Sequence, residues 1–211
     1  MQVGYLIKEF SMKRTYFVAL LLGLAFNASV RATSLSTDSP SNPMAMLPID
    51  TPCHLSLGSG RVDYGNLSHW QLRSASTGGD ALTPGKRILT LNVVCPYAQP
   101  LRLVMHGESG TNGELRYGER GSMVVRLSDM RVDGQNVQIM NVTPSGDMKS
   151  TALEVQPLKP EQVVGAAINN QLVNGKTLTA RLEIEPVMLD DELRVKSSTV
   201  KESLLTLELM D

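Results

Sequence analysis

Aromatic rings, histidine and cysteine are all scarce in this chain. Its 211 residues hold one Trp, five Tyr, three Phe, three His and two Cys. With rings at 4% of the sequence, a platform for stacking sugars or bases would have to be built from very few residues. No excess of one charge is present either: 20 Lys and Arg stand against 21 Asp and Glu. That balance removes the electrostatic case for nucleic acid or an anionic membrane surface as partner. Catalytic signatures are missing too. No glycine-bracketed nucleophilic serine, phosphate-binding glycine loop or paired-histidine zinc motif occurs. His106, beside Gly107, is a lone histidine with no sequence neighbour to make it a general base. The run Asp190-Asp191-Glu192 reads as a solvated turn. No enzyme and no cofactor or metal site is expected.

Long apolar runs are equally rare. The one that stands out is Phe17-Val-Ala-Leu-Leu-Leu-Gly-Leu-Ala-Phe26, preceded by Lys13 and Arg14 and followed by small residues up to Ala32. A basic start, an apolar stretch and a small-residue exit are the three parts of a secretory signal peptide. The stretch is about half of what spans a bilayer, so no stable membrane span is expected after processing. The reading is a signal peptide over residues 1–32, with Met12 as its natural start, cleavage after Ala32 and an exported mature chain.

Both cysteines, Cys53 and Cys95, lie in the exported part. Two cysteines in an oxidising compartment pair, and neither stands in a Cys/His spacing that would hold zinc. Asn66-Leu-Ser68 and Asn141-Val-Thr143 match a glycosylation acceptor, which matters only in a eukaryotic secretory route.

Residues 33–52 are rich in Ser, Thr, Pro and Asp, with prolines at 40, 43, 48 and 52. A segment of that kind packs no core by itself and reads as an extended N-terminal arm. Its apolar patch is Met44-Ala45-Met46-Leu47-Pro48-Ile49. Beyond it, residues 53–211 alternate in short runs: Leu89/Leu91/Val93/Cys95, Leu101/Leu103/Met105, Met123/Val125/Leu127, Val137/Ile139, Leu178/Ala180/Leu182/Ile184 and Leu205/Leu207/Leu209. A period of two sends alternate side chains to opposite faces of a strand, one dry and one wet. On the run from Leu178 to Ile184 the wet set is Thr179, Arg181, Glu183 and Glu185. Asn112-Gly113, Asp133-Gly134 and Asn174-Gly175 carry the chemistry of tight hairpin turns. The pattern predicts an all-β domain, a sandwich of antiparallel sheets. Residues 160–168 form the one stretch that also accommodates a turn or two of helix. Tyr64 and Trp70 are single aromatics of the kind that usually pack in a core.

These elements together resemble the pilin-like subunits of chaperone–usher fimbriae, of which the chain would be a divergent member. The similarity is carried by a leader followed by an extended arm, by Val62-Asp-Tyr-Gly65 after the first cysteine, and by Leu89-Thr-Leu-Asn-Val-Val-Cys95 ending on the second. The closing strands 178–185 and 204–210 complete it. Where such subunits carry a glycine near the end and a penultimate aromatic, this chain has Ser198 and Met210; Pro48 interrupts its arm. The resemblance implies an immunoglobulin-like antiparallel β-sandwich that lacks its last strand. It implies a structural role in a fimbria or pilus of cell adhesion, exported to the periplasm and then to the surface of a Gram-negative bacterium. The implied partners are a periplasmic pilus chaperone, an outer-membrane usher and neighbouring subunits. The donor arm would use Met44, Ala45, Met46, Leu47 and Ile49, and the acceptor groove would be lined by Leu205, Leu207 and Leu209. The alternative is a self-contained secreted β-sandwich that binds a carbohydrate or protein ligand.

Overall fold

The computed structural model describes residues 52–193 and 200–210, and the backbone of 2–4 and 6–7. The apolar leader and the arm, including Met44, Ala45, Met46, Leu47 and Ile49, lie outside the described residues. The principal strands are β1 (His54–Leu57), β2 (Arg87–Pro100), β3 (Arg102–Gly107), β4 (Gly121–Val132), β5 (Gln138–Val142), β6 (Val155–Leu158), β7 (Val163–Ile168), β8 (Asn174–Leu189) and β9 (Leu204–Met210). Among the described residues no helix is long and apolar enough to cross a membrane.

Alternation along β8 is what organises the domain. Leu178, Ala180, Leu182 and Ile184 are buried, while Thr179 and Arg181 are exposed. β8 is long enough to pair on both sides, with β2 along one edge and β4 along the other, both antiparallel. β1 extends the sheet beyond β2, and β6 extends it beyond β4. The second sheet runs β5-β7-β3-β9, also antiparallel throughout. Leu91, Leu127 and Leu182 from the first sheet share one core with Leu103, Met105, Val164, Ala166 and Leu207 from the second. Two sheets with facing dry surfaces are a β-sandwich, and the orders β1-β2-β8-β4 and β3-β9 follow the A-B-E-D and C-F arrangement of immunoglobulin domains.

The chain changes sheet with almost no loop. β2 runs through Pro96 to Pro100, and β3 begins at Arg102, leaving buried Leu101 as the corner. Cys53 and Cys95 form the disulfide that pins the first strand to the second, with Cα atoms 4.2 Å apart.

Three local readings need correction. Residues 160–168 contain strand β7 and no helix. Its run lacks alternation because both faces are covered: Val164 and Ala166 face the main core, while Val163 and Ala167 pack in a second cluster with Val104, Met140, Val142 and Ala152. Asn174-Gly175 is not a turn but the start of β8, paired with Pro100 and Gln99. The neighbouring hairpin instead turns at Asn169 and Asn170, both with positive φ, between Ile168 and Gln171. Gly175 is needed for close approach, since a Cβ there would lie 2.2 Å from Val132 Cγ1. Asp133-Gly134 is the tight turn expected, with φ of 49° and 82° between paired Val132 and Gln135. Third, Glu185 is not on a wet face. It is 2% exposed, because the hairpin of Arg73–Ser74 and Ala81–Thr83 roofs that end of β8, where Ala75, Ala81, Val124 and Val187 pack together.

Two measurements test this account. Leu182→Ala empties a site at the centre of the core and is expected to cost about 2–5 kcal/mol, read from urea unfolding. Cys53→Ser and Cys95→Ser should destabilise equally, by about 4 kcal/mol on the chain-entropy account of a loop this long. Two titratable thiols in the native protein would contradict the bridge.

Candidate functional site at the edge of β9

The inward residues of β9 meet the expectation of a leucine stripe. Leu205 and Leu207 are buried, and Leu209 packs against the same core while half-buried. Leu204 and Glu208 face outward, with Leu204 53% exposed. On one side, Leu205–Met210 pairs residue by residue with Gly107–Arg102 of β3. On the other side, the described partner is the two-residue segment Leu6–Ile7, running parallel to Leu204 and Leu205. Approach to the strand is tight. A Cβ on Gly107 would meet Leu115 Cδ1 at 2.2 Å and the Leu204 carbonyl oxygen at 3.0 Å. Ser203 Oγ donates to the Arg116 carbonyl, and the Gly118 amide donates to the Glu202 carbonyl, which fixes the lead-in to β9.

The outward face of the same strand pair carries a charged clasp. His106 on β3 lies between two carboxylates: Nδ1 is 2.9 Å from Glu161 Oε2, and Nε2 is 3.1 Å from Glu208 Oε2. Glu161, just ahead of β7, has a positive φ of 62° and donates its amide to the Met105 carbonyl, which holds it over the histidine. The clasp therefore ties β3 and β9 to the segment leading into β7. Hydrogen bonding to Glu161 raises the His106 pKa, burial opposes this, and Glu208 adds to the rise. Sequence reasoning saw His106 as a lone side chain. Its partners are 55 and 102 residues away in sequence, so no local signal could have joined them.

The other residues singled out are scattered. Trp70 stands on a short helical turn and is 91% exposed, its ring edge-on to His69 at 6.2 Å between centroids. That is the reverse of a core aromatic. Tyr64 is buried, with the Arg87 guanidinium 5.3 Å from its ring centroid; burial raises its pKa and Arg87 opposes the rise. Asp190–Leu193 makes a single helical turn, from which Asp190 pairs with His69 at 2.8 Å.

The clasp makes a pH prediction. A histidine whose folded pKa is raised contributes stability that is complete below its unfolded value, about 6.5, and is lost as pH rises through the higher folded value. His106→Gln should therefore lower the melting temperature at pH 5.5 more than at pH 8.5; an equal loss at both would rule the clasp out as a charged contact. The chain matches no protein-family model and no curated protein.

Proposed function

We propose that this chain is a structural subunit of a surface fibre, a fimbria assembled by a chaperone–usher route through donor-strand exchange. One observation carries the reading. β9 pairs fully on one side, while among the described residues only two backbone positions are paired on the other. In an immunoglobulin-type sheet the place beyond strand F belongs to strand G. An unpaired edge is a template for an added strand, and β-strand addition supplies backbone hydrogen bonds while alternate side chains enter pockets. Leu205, Leu207 and Leu209 would form the wall of such a groove.

On this reading the arm of one subunit, through Ala45, Leu47 and Ile49 or through Met44 and Met46, occupies the groove of the next. A periplasmic chaperone holds the place beforehand, and an outer-membrane usher guides the exchange. The chain is exported, passes through the periplasm and ends on the cell surface. Its role is structural and not catalytic. The second reading, a self-contained secreted sandwich that binds a ligand, draws support from the burial of Leu205 and Leu207 within the lone chain.

A fusion experiment separates the two. Adding a second copy of residues 40–52 to the carboxyl end through a short flexible linker should raise the melting temperature of the exported chain by roughly 5 °C or more and suppress its aggregation. The same fusion carrying Leu47→Asp and Ile49→Asp should do neither. A chain that is a stable monomer without the fusion, and unchanged by it, would establish the self-contained reading.

A further inference from the structure

On the sheet of β8, the hairpin that roofs the end of that strand leaves a cleft of about 430 Å³ along its side. Three cations line it: Arg73, Lys86 and Arg87. Their charges are not equally spent. Lys86 Nζ lies 2.9 Å from Glu183 Oε1, which Arg126 Nη1 also reaches at 3.0 Å. Burial pushes the Glu183 carboxyl upward, but Lys86 and Arg126 outweigh it and hold its pKa below the usual range. Arg73 and Arg87 have no carboxylate partner among the described residues. Arg87 rests on the ring of Tyr64, and Arg73 lies across Gly85, where a Cβ would be 3.5 Å from Nη2. Gly85 has a φ of 108°, which a side chain rarely adopts, so the turn presents a flat seat for the guanidinium.

The polar groups at the back of the cleft are already satisfied. Buried Glu185 accepts from the Ser76 amide at 3.0 Å and from the Ser76 hydroxyl, and Arg126 Nη2 donates to that hydroxyl at 3.1 Å. These groups are committed to each other, which leaves the two guanidiniums as the unspent valence of the site.

We infer that this cleft binds a carboxylate carried on a small hydroxylated molecule of monosaccharide size. Two unneutralised guanidiniums are the fork-shaped donors that suit a planar carboxylate. The volume falls in the range of small-ligand sites. Exposed Ser74 beside Pro84 suits a hydroxyl better than an apolar side chain, while the buried Thr83 hydroxyl is taken up by the Gly85 amide. The site is independent of strand exchange at β9.

Calorimetric titration of the exported chain with glucuronate, glucose and acetate tests it. Glucuronate should bind saturably, glucose should show no binding at the same concentrations, and acetate should bind at least tenfold more weakly. Arg73→Gln and Arg87→Gln should each weaken glucuronate tenfold or more, with the melting temperature of Arg73→Gln unchanged. A free or polymer-linked acid is then distinguished by a uronate trisaccharide: equal affinity per site means a terminal sugar suffices, and tighter binding means a chain is read. Glucose binding as well as glucuronate, an acidic tetrapeptide binding better than it, or no saturation by about 10 mM would each overturn the assignment.

Discussion

The backbone of β8 has to be paired on both edges while only one of its faces is dry, and the rest of the domain is arranged around that demand. β2 and β4 satisfy its amides and carbonyls on either side, and the row from Leu178 to Ile184 needs a second apolar layer opposite it. The second sheet provides that layer. An interior backbone group without a partner costs as much as a lost hydrogen bond, so the sheet spreads outward from β8 until it reaches edges that solvent or another strand can satisfy. The alternation ends at Glu185, where the Arg73–Thr83 hairpin folds over the outer face.

That roof ties fold to chemistry. Covering the end of β8 forces a carboxylate out of water, and a buried charge survives only when paired and hydrogen-bonded. Ser76 supplies two donors and Arg126 lies 3.6 Å from Glu185, while Glu183 beside it gathers Lys86 as well. Of the cations around the open cleft, Lys86 is paired in this way, while Arg73 of the hairpin and Arg87 at the start of β2 have no carboxylate partner among the described residues.

At the opposite sheet, β9 is held from inside by leucines and from outside by the His106 clasp. The two contacts act on different atoms. The leucines fix which face of the strand is dry and therefore its register; the clasp ties its outer face to β3 and to the segment leading into β7. Neither supplies the backbone partners that a strand edge asks for along Thr206–Met210, which is why this edge, and not the leucine stripe as such, carries the functional reading.

Strand identity was legible wherever one face is wet and the other dry, because a period of two is written directly into the residue order: β2, β4, β8 and β9 were all visible this way, as was the disulfide from its two lone cysteines. The pattern failed where tertiary structure covered both faces. β7 has no wet side to mark it, and Glu185 looked solvated because the hairpin above it is more than 100 residues away in sequence. The Asp133-Gly134 turn was readable since its conformation is a local property, whereas Gly175 serves a contact with Val132 that only packing creates. By itself, then, the amino-acid order determined the two-faced strands, the turn chemistry and the cystine. The tertiary structure alone decided which carboxylates meet His106, which guanidiniums lack a carboxylate among the described residues and which strand is only partly paired on its outer side, since each depends on distances between segments that local chemistry does not encode.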